Sequence, residues 1–218
     1  LGLPLTSKIL ISQEDYARQP FYGLNQLPSF LSPFSNELMF ELKFLKTYLN
    51  NYLKENLNLN QRRDYWIYDG IQMFIMMQYA DEYFPELKMT GNVANLKILK
   101  SYHFINLDFN QQYNYLYMLM ARKNLDQALN EPKNRLIKFN EQIASKYRAG
   151  LSLKYLDSYL GNDIVHNTIK EYIQENQFLG TNSRQFETIL IKNSPKDIDW
   201  FFRTIIETRD LIDYKFGK

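Results

Sequence analysis

Leucines recur at every third or fourth position from residue 38 onward, and this spacing constrains the fold more than any other feature of the chain. The leucines that share this spacing are Leu38, Leu42, Leu45, Leu49 and Leu53. Residues three and four apart lie on one face of an α-helix, and Ser35-Asn36-Glu37 supplies capping residues just before the run. The pattern therefore predicts a helix from residue 36 to about residue 56.

Similar apolar spacing predicts helices along nearly all of the remaining chain. The expected ranges are 64–83, 91–105, 109–129, 133–144, 146–160, 162–175, 182–193 and 195–213. Residues 1–35 differ because they contain four of the seven prolines, and only residues 8–12 resemble a strand. We therefore expect a mostly α fold, with an extended N-terminal segment over 1–35 and one helical domain over 36–218.

Composition narrows the classes of function. Lys and Arg total 26 against 24 Asp and Glu and are scattered among them, so no nucleic-acid partner is expected. Without cysteine, the chain has no disulfide, thiolate zinc site or cysteine nucleophile. No apolar run approaches the roughly 18–20 residues needed to cross a bilayer, so we expect a soluble chain without a membrane span. Whether the chain is exported stays open at this stage. Because the sequence begins at Leu1 rather than Met, functional segments upstream of it are also considered.

Three motifs occur in order along the helical region. Residues 64–72 read D-Y-W-I-Y-D-G-I-Q, residues 146–156 read K-Y-R-A-G-L-S-L-K-Y-L, and residues 197–202 read D-I-D-W-F-F. The three resemble motifs in the catalytic domain of the aminopeptidase N family of gluzincin zinc metallopeptidases. The resemblance covers roughly residues 36–206 and implies a multi-helix, thermolysin-like subdomain.

The resemblance also implies roles for individual residues. The first motif is similar to the family's W-L-N-E-G-F, whose acid is the third zinc ligand, and Asp69 stands at that position with Gln72 three residues later. The second is similar to Y-x-K-G-A, whose Tyr donates a hydrogen bond to the tetrahedral oxyanion, and Tyr147 is the matching residue. The resemblance therefore implies that Tyr147 lies in the same cleft as Asp69 and Gln72.

The remaining zinc ligands of the family are replaced in this chain. Family members have H-E-x-x-H, then eighteen intervening residues and then the third ligand, with two His ligands and a Glu that activates water. Counting back from Asp69, these positions hold Lys46, Thr47 and Asn50. The two histidines, His103 and His166, have no partner at ligand spacing. We therefore expect no metal cofactor.

Several side chains admit alternative interpretations. Lys46 could pair with Asp69 and fill the former metal position, or both could face solvent or neighbouring polar groups. Arg122 and Asp126, four residues apart, could brace helix packing or line a polar cleft. The methionine-rich stripe is expected to be core, and its members are Met73, Met76, Met77, Met118 and Met120.

Three functions remain open at this stage. The favoured hypothesis is a non-catalytic, aminopeptidase-like domain that binds a peptide or protein partner, or that supports other domains of a longer protein. The second is a fragment of an active zinc aminopeptidase whose metal-binding motif lies outside this chain. The third is a helical scaffold without a peptide cleft.

Overall fold

Helices dominate the computed structural model, which describes residues 34–91, 107–161 and 163–210. Its α-helices are α1 (Asn36–Asn56), α2 (Tyr65–Tyr83), α3 (Gln111–Arg122), α4 (Ser145–Leu160), α5 (Ile164–Glu175) and α6 (Ser183–Asn193). A 3₁₀ turn covers Lys133–Arg135, and π-helical segments cover Asn140–Ala144 and Phe201–Ile206. Two short strands, β1 (Asn58–Leu59) and β2 (Gly180–Thr181), pair in parallel. The mostly α fold class is confirmed.

Local sequence explains where the helices begin. At α1, the Ser35 hydroxyl accepts a hydrogen bond from the backbone N–H of Leu38 at 3.3 Å. At α6, Asn182 and Gln185 form a reciprocal capping box, in which each side chain accepts a hydrogen bond from the other residue's backbone N–H. Such caps satisfy backbone donors that have no partner within the helix.

The helix expected over 109–129 ends earlier than its apolar pattern suggests. Asn124 has φ +54°, in the left-handed region. Its N–H donates to the Ala121 carbonyl, and the N–H of Leu125 donates to the Met120 carbonyl. This pair of bonds is the Schellman motif that ends many helices, and Asn is one of the few residues that tolerate the required conformation. The expectation of a helix over 195–213 also failed within its described part, residues 195–210, where the helix is confined to a short segment that includes Phe201–Ile206.

The chain divides into two compact units. The described residues of the larger unit are 56–74, 113–161 and 163–210, and those of the smaller unit are 34–55, 75–91 and 107–112. The expected strand at 8–12 and the expected helix at 91–105 lie essentially outside the described residues.

The core of the larger unit contains a cluster of aromatic rings. Trp66 and Phe186 meet edge to face with their centroids 6.1 Å apart, and Phe186 meets Tyr172 in the same way at 5.2 Å. Each of the three side chains is at most 1% exposed. Burial of large side chains contributes roughly 1.5–3 kcal/mol apiece, so this buried aromatic cluster is a major source of stability.

Two glycines allow α2 and α4 to pack closely within the larger unit. A Cβ atom added to Gly150 would lie 2.4 Å from Met73 Cβ, a distance that real Cβ contacts do not reach. A Cβ atom added to Gly70 would lie 3.3 Å from Ala149 Cβ and from a Leu153 methyl carbon. The glycines of the first two motifs therefore have a packing role, whatever the resemblance implies for them.

In the smaller unit, Phe34 meets Phe109 edge to face with centroids 5.7 Å apart. The Asn110 side-chain amide donates to the Met77 carbonyl at 2.9 Å and to Asp81 at 2.7 Å, linking residues 107–112 to the end of α2. Within the described residues, no helix is long and apolar enough to cross a membrane.

Candidate functional site

The candidate site residues fall into the two units. Asp69, Gln72 and Tyr147 belong to the larger unit, on α2 and α4. Lys46, Thr47 and Asn50 belong to the smaller unit, on α1, where Lys46 is exposed and the other two are half-buried. The suggested pairing of Lys46 with Asp69 stays a prediction.

The structure brings Asp69 together with a lysine that the sequence analysis did not assign to it. Lys146 Nζ lies 3.4 Å from Asp69 Oδ1, and the Asp69 side chain is only 14% exposed. The ion pair lies where α2 and α4 pack through Gly70 and Gly150. The carboxylate that the resemblance would match to a zinc ligand is therefore engaged by a cation on the neighbouring helix.

Buried polar groups surround this ion pair. The pKa of the Tyr65 hydroxyl is raised, first by burial and then by the negative charge of Asp69, while the Ser145 side chain acts in the opposite direction. Gln72, one turn after Asp69, is 6% exposed. The surroundings of Asp69 are thus largely closed to water, which strengthens its attraction to Lys146.

Tyr147 directly follows Lys146 and packs against another tyrosine. Its ring lies 4.8 Å from that of Tyr113, at an interplanar angle of 63°. Burial raises the pKa of Tyr147 to about 12, and burial together with Tyr147 raises the pKa of Tyr113. Tyr147 is therefore a neutral hydrogen-bond donor at neutral pH. Its proposed place in one cleft with Asp69 stays a prediction, although its helix neighbour Lys146 contacts Asp69.

The residues at the zinc positions of the resemblance do not fit that metal. Zinc is held by imidazole, thiolate and carboxylate groups. The matched positions offer the amine of Lys46, the hydroxyl of Thr47, the amide of Asn50 and a carboxylate already paired with Lys146. Among the described residues, no group of three or more His, Cys, Asp or Glu side chains is arranged to hold a metal ion.

Of the two histidines, only His166 lies among the described residues. His103 lies outside the described residues. His166 is half-buried on α5, and its pKa is lowered, mainly by burial and then by Lys170. A lowered pKa keeps the imidazole neutral, but a single imidazole does not make a zinc site.

Arg148, next to Tyr147, braces the larger unit. Its guanidinium donates hydrogen bonds to the carbonyl oxygens of Gln127, Ile205 and Thr208 at 3.1, 3.0 and 2.8 Å. It also forms a buried ion pair with Asp126 at 3.7 Å. The structure therefore gives Asp126 a different partner from the expected Arg122, because a buried carboxylate needs a buried cation and Arg122 is exposed.

Beside Arg148 lies a cavity that the sequence analysis missed. Its volume is about 480 Å³, and all of its lining residues belong to the larger unit. Its apolar walls are Tyr117, Met118, Leu151, Tyr155 and Ile205. Its polar lining is Asn114, Arg148, Ser152, Lys154 and Asp210. Met118 was expected in the core with the other methionines, but it is half-buried and faces this cavity.

A second cavity of the larger unit, of about 470 Å³, has a charged rim. Arg203 lies in this rim and pairs with Glu187 at 3.3 Å and with Glu207. The rim also contains Arg184, so its two arginines balance its two glutamates. The first cavity has mainly apolar walls and therefore suits an apolar ligand better.

Neither a family model nor a curated protein nor a solved structure matches this chain. The contacts and cavities described above therefore carry the functional argument.

Proposed function

We propose that this chain is a non-catalytic, aminopeptidase-like helical domain that binds a peptide or protein partner. The observation that carries the proposal is the cavity between α3, α4 and the segment Phe201–Ile206. Its volume of about 480 Å³ falls in the range of roughly 300–1,000 Å³ that is usual for ligand sites. Its aromatic and aliphatic walls suit an apolar side chain presented by the partner.

The Asp69–Lys146 ion pair supports the non-catalytic part of the proposal. A metallopeptidase needs a carboxylate that is available to its metal and a base beside the bound water. In this chain Asp69 is held by an ammonium group at 3.4 Å, and Thr47 stands where the resemblance would require the base. The scaffold would thus serve recognition without hydrolysis.

Methionine methyl resonances offer a direct test of the cavity. Met118 lines it, whereas Met39, 7% exposed in the smaller unit, is an internal control. We expect N-acetyl-leucinamide and N-acetyl-phenylalaninamide to shift the Met118 methyl signal in a saturable way at millimolar concentration. N-acetyl-glutamate amide should shift it far less, since the walls are apolar.

A cavity-filling variant provides the matched comparison. Leu151→Trp places an indole on the wall, so it should abolish the shift at Met118. Leu119→Trp introduces the same side chain at a position of α3 that is 45% exposed and does not line the cavity, so binding should persist. If the apolar amides leave the Met118 signal unmoved in the wild type, or if Leu151→Trp binds them as well as Leu119→Trp, the proposed binding site is wrong.

A further inference from the structure

Four aromatic rings form a regular row along α1. Phe40, Phe44, Tyr48 and Tyr52 follow one another at intervals of four residues. Their successive ring centroids are 6.3, 6.3 and 6.0 Å apart, and the successive interplanar angles are 26°, 22° and 11°. We call these four residues the aromatic ladder, and all of them belong to the smaller unit.

The ladder reaches the protein surface at its N-terminal end. Phe40 is 48% exposed and Phe44 is 42% exposed, whereas Tyr52 is 6% exposed. A single exposed phenylalanine needs no explanation, but aligned exposed rings form a continuous apolar strip. Such a strip presents exposed aromatic surface at a fixed spacing.

The charged groups beside the ladder are predominantly acidic. Side chains three positions away on a helix are neighbours of the ring. The charged side chains at this spacing from a ladder ring are Glu37, Glu41, Lys43 and Glu55. Lys43 is the one base among these four, and it is only 7% exposed. Glu41 is held in place because it accepts a hydrogen bond from the Tyr79 hydroxyl at 3.0 Å. The ladder therefore favours a cationic ligand over an anionic one.

A second pair of rings accompanies Glu41 in the same unit. Tyr79, which binds Glu41, also contacts Tyr83 with ring centroids 4.7 Å apart. Tyr83 is 61% exposed. Exposed aromatic rings and a fixed carboxylate thus occur together, and this combination attracts guanidinium groups through cation–π contacts and ion pairing.

We propose that the aromatic ladder, flanked by Glu37 and Glu41, binds an extended peptide segment that carries arginine at alternate positions. Alternate side chains of an extended strand lie about 6.6–6.8 Å apart on one face. The two exposed rings of the ladder, Phe40 and Phe44, have centroids 6.3 Å apart, so two successive guanidinium groups of such a segment can meet them. Arginine suits this surface better than lysine because its planar group stacks on aromatic faces.

Calorimetric titration of the full chain with synthetic peptides tests the proposal. The probes are acetyl-(Arg-Thr)₄-amide and acetyl-(Arg-Arg-Thr-Thr)₂-amide, which have the same composition and charge but different arginine spacing. We expect the alternating peptide to bind several-fold more tightly, and acetyl-(Glu-Thr)₄-amide not to bind. Equal affinity for the two arginine peptides, or no binding of either, would overturn the proposal.

Substitutions then locate the site. Phe44→Ala should weaken binding of the alternating peptide about 2- to 5-fold, the loss expected for one exposed cation–π contact. Phe44→Tyr keeps a ring and should bind like the wild type. Leu119→Ala removes a side chain that is 45% exposed in the larger unit and should have no effect. An unchanged affinity in Phe44→Ala, with its helical circular dichroism intact, would contradict the assignment.

Two further experiments distinguish peptide binding at the ladder from binding at the cavity and from binding to a membrane. Leu151→Trp, which fills the cavity of the larger unit, should leave arginine-peptide binding intact, so that failure of one proposal does not imply failure of the other. Vesicles of phosphatidylserine should not bind the ladder, because Glu37 and Glu41 repel an anionic surface. Vesicle binding that is lost in Phe44→Ala would identify a membrane surface and overturn the peptide proposal.

Discussion

The buried aromatic cluster of the larger unit and the aromatic ladder of the smaller unit use the same kinds of side chain in opposite geometries. In the buried cluster, Trp66, Phe186 and Tyr172 meet edge to face, at interplanar angles of 77° and 76°. In the ladder the rings are nearly parallel, and Phe40 and Phe44 are exposed. Edge-to-face packing fills a core from several directions. In the ladder the rings repeat along one helix, and Phe40 and Phe44 keep nearly half of their surface exposed.

This contrast predicts that removing an aromatic ring lowers the free energy of unfolding by very different amounts in the two places. The largest loss is expected in the buried cluster. Phe186 is fully buried and contacts both Trp66 and Tyr172. Phe186→Ala should lower the free energy of unfolding by about 3–5 kcal/mol, because a cavity is left among rings that cannot collapse onto it. Urea unfolding followed by circular dichroism measures the loss, and a loss below about 1 kcal/mol would contradict the packing described.

Close approach of α2 and α4 gives the next largest effect. Gly150→Ala should destabilise the chain by about 3 kcal/mol, since the new Cβ would lie 2.4 Å from Met73 Cβ and one of the helices must shift. Gly180→Ala is the matched control, because a Cβ at Gly180 would have no neighbour within 4 Å. Thermal unfolding of the two variants should differ by several degrees. Similar melting temperatures would mean that the two helices are further apart than described.

Alkaline pH should weaken the larger unit through Tyr147. Its pKa is about 12 in the folded chain, above the roughly 10 of an exposed tyrosine. The folded state therefore holds the proton more tightly. The corresponding stability is fully present below pH 10 and is lost as the pH rises towards 12, by about 2 kcal/mol. Urea unfolding at pH 9 and at pH 11.5 should show a smaller decline in Tyr147→Phe than in the wild type, and an identical decline would show that Tyr147 is not buried.

The smallest effect on stability should come from the ladder. Phe44→Ala should change the free energy of unfolding by no more than about 0.5 kcal/mol, because the ring is 42% exposed. The same urea assay as for Phe186→Ala applies. A loss comparable to that of Phe186→Ala would mean that the ladder is part of a core rather than a binding surface.

The sequence predicted the helices well where apolar spacing and caps agree. The bounds of α1 and α2 follow from the leucine spacing after Ser35 and from the run after Asp64. It failed at Asn124, because apolar periodicity does not reveal a residue that adopts a left-handed conformation and ends the helix. Apolar character alone does not decide burial either, since Ile75 is only half-buried although its neighbour Phe74 is fully buried.

The spacing of residues in the sequence could not predict which side chains of the candidate site contact each other across long stretches of the chain. Asp69 was singled out from its motif, but its partner Lys146 is far away in sequence, and no local pattern joins them. Asp126 was assigned to Arg122 by helical spacing, yet the buried Arg148 is its partner. The cavity beside Arg148 arises from three segments that pack together, so its aromatic walls resembled ordinary core residues in the sequence.

Our central proposal is that this chain is a peptidase-like scaffold without zinc chemistry. Calorimetric titration of the chain with Zn²⁺ tests this proposal most directly. The account predicts no sub-micromolar site in the wild type, because Asp69 is paired with Lys146 and the other matched positions hold Lys46, Thr47 and Asn50. One sub-micromolar site per chain that disappears in Asp69→Ala, together with hydrolysis of an aminoacyl-anilide, would contradict it.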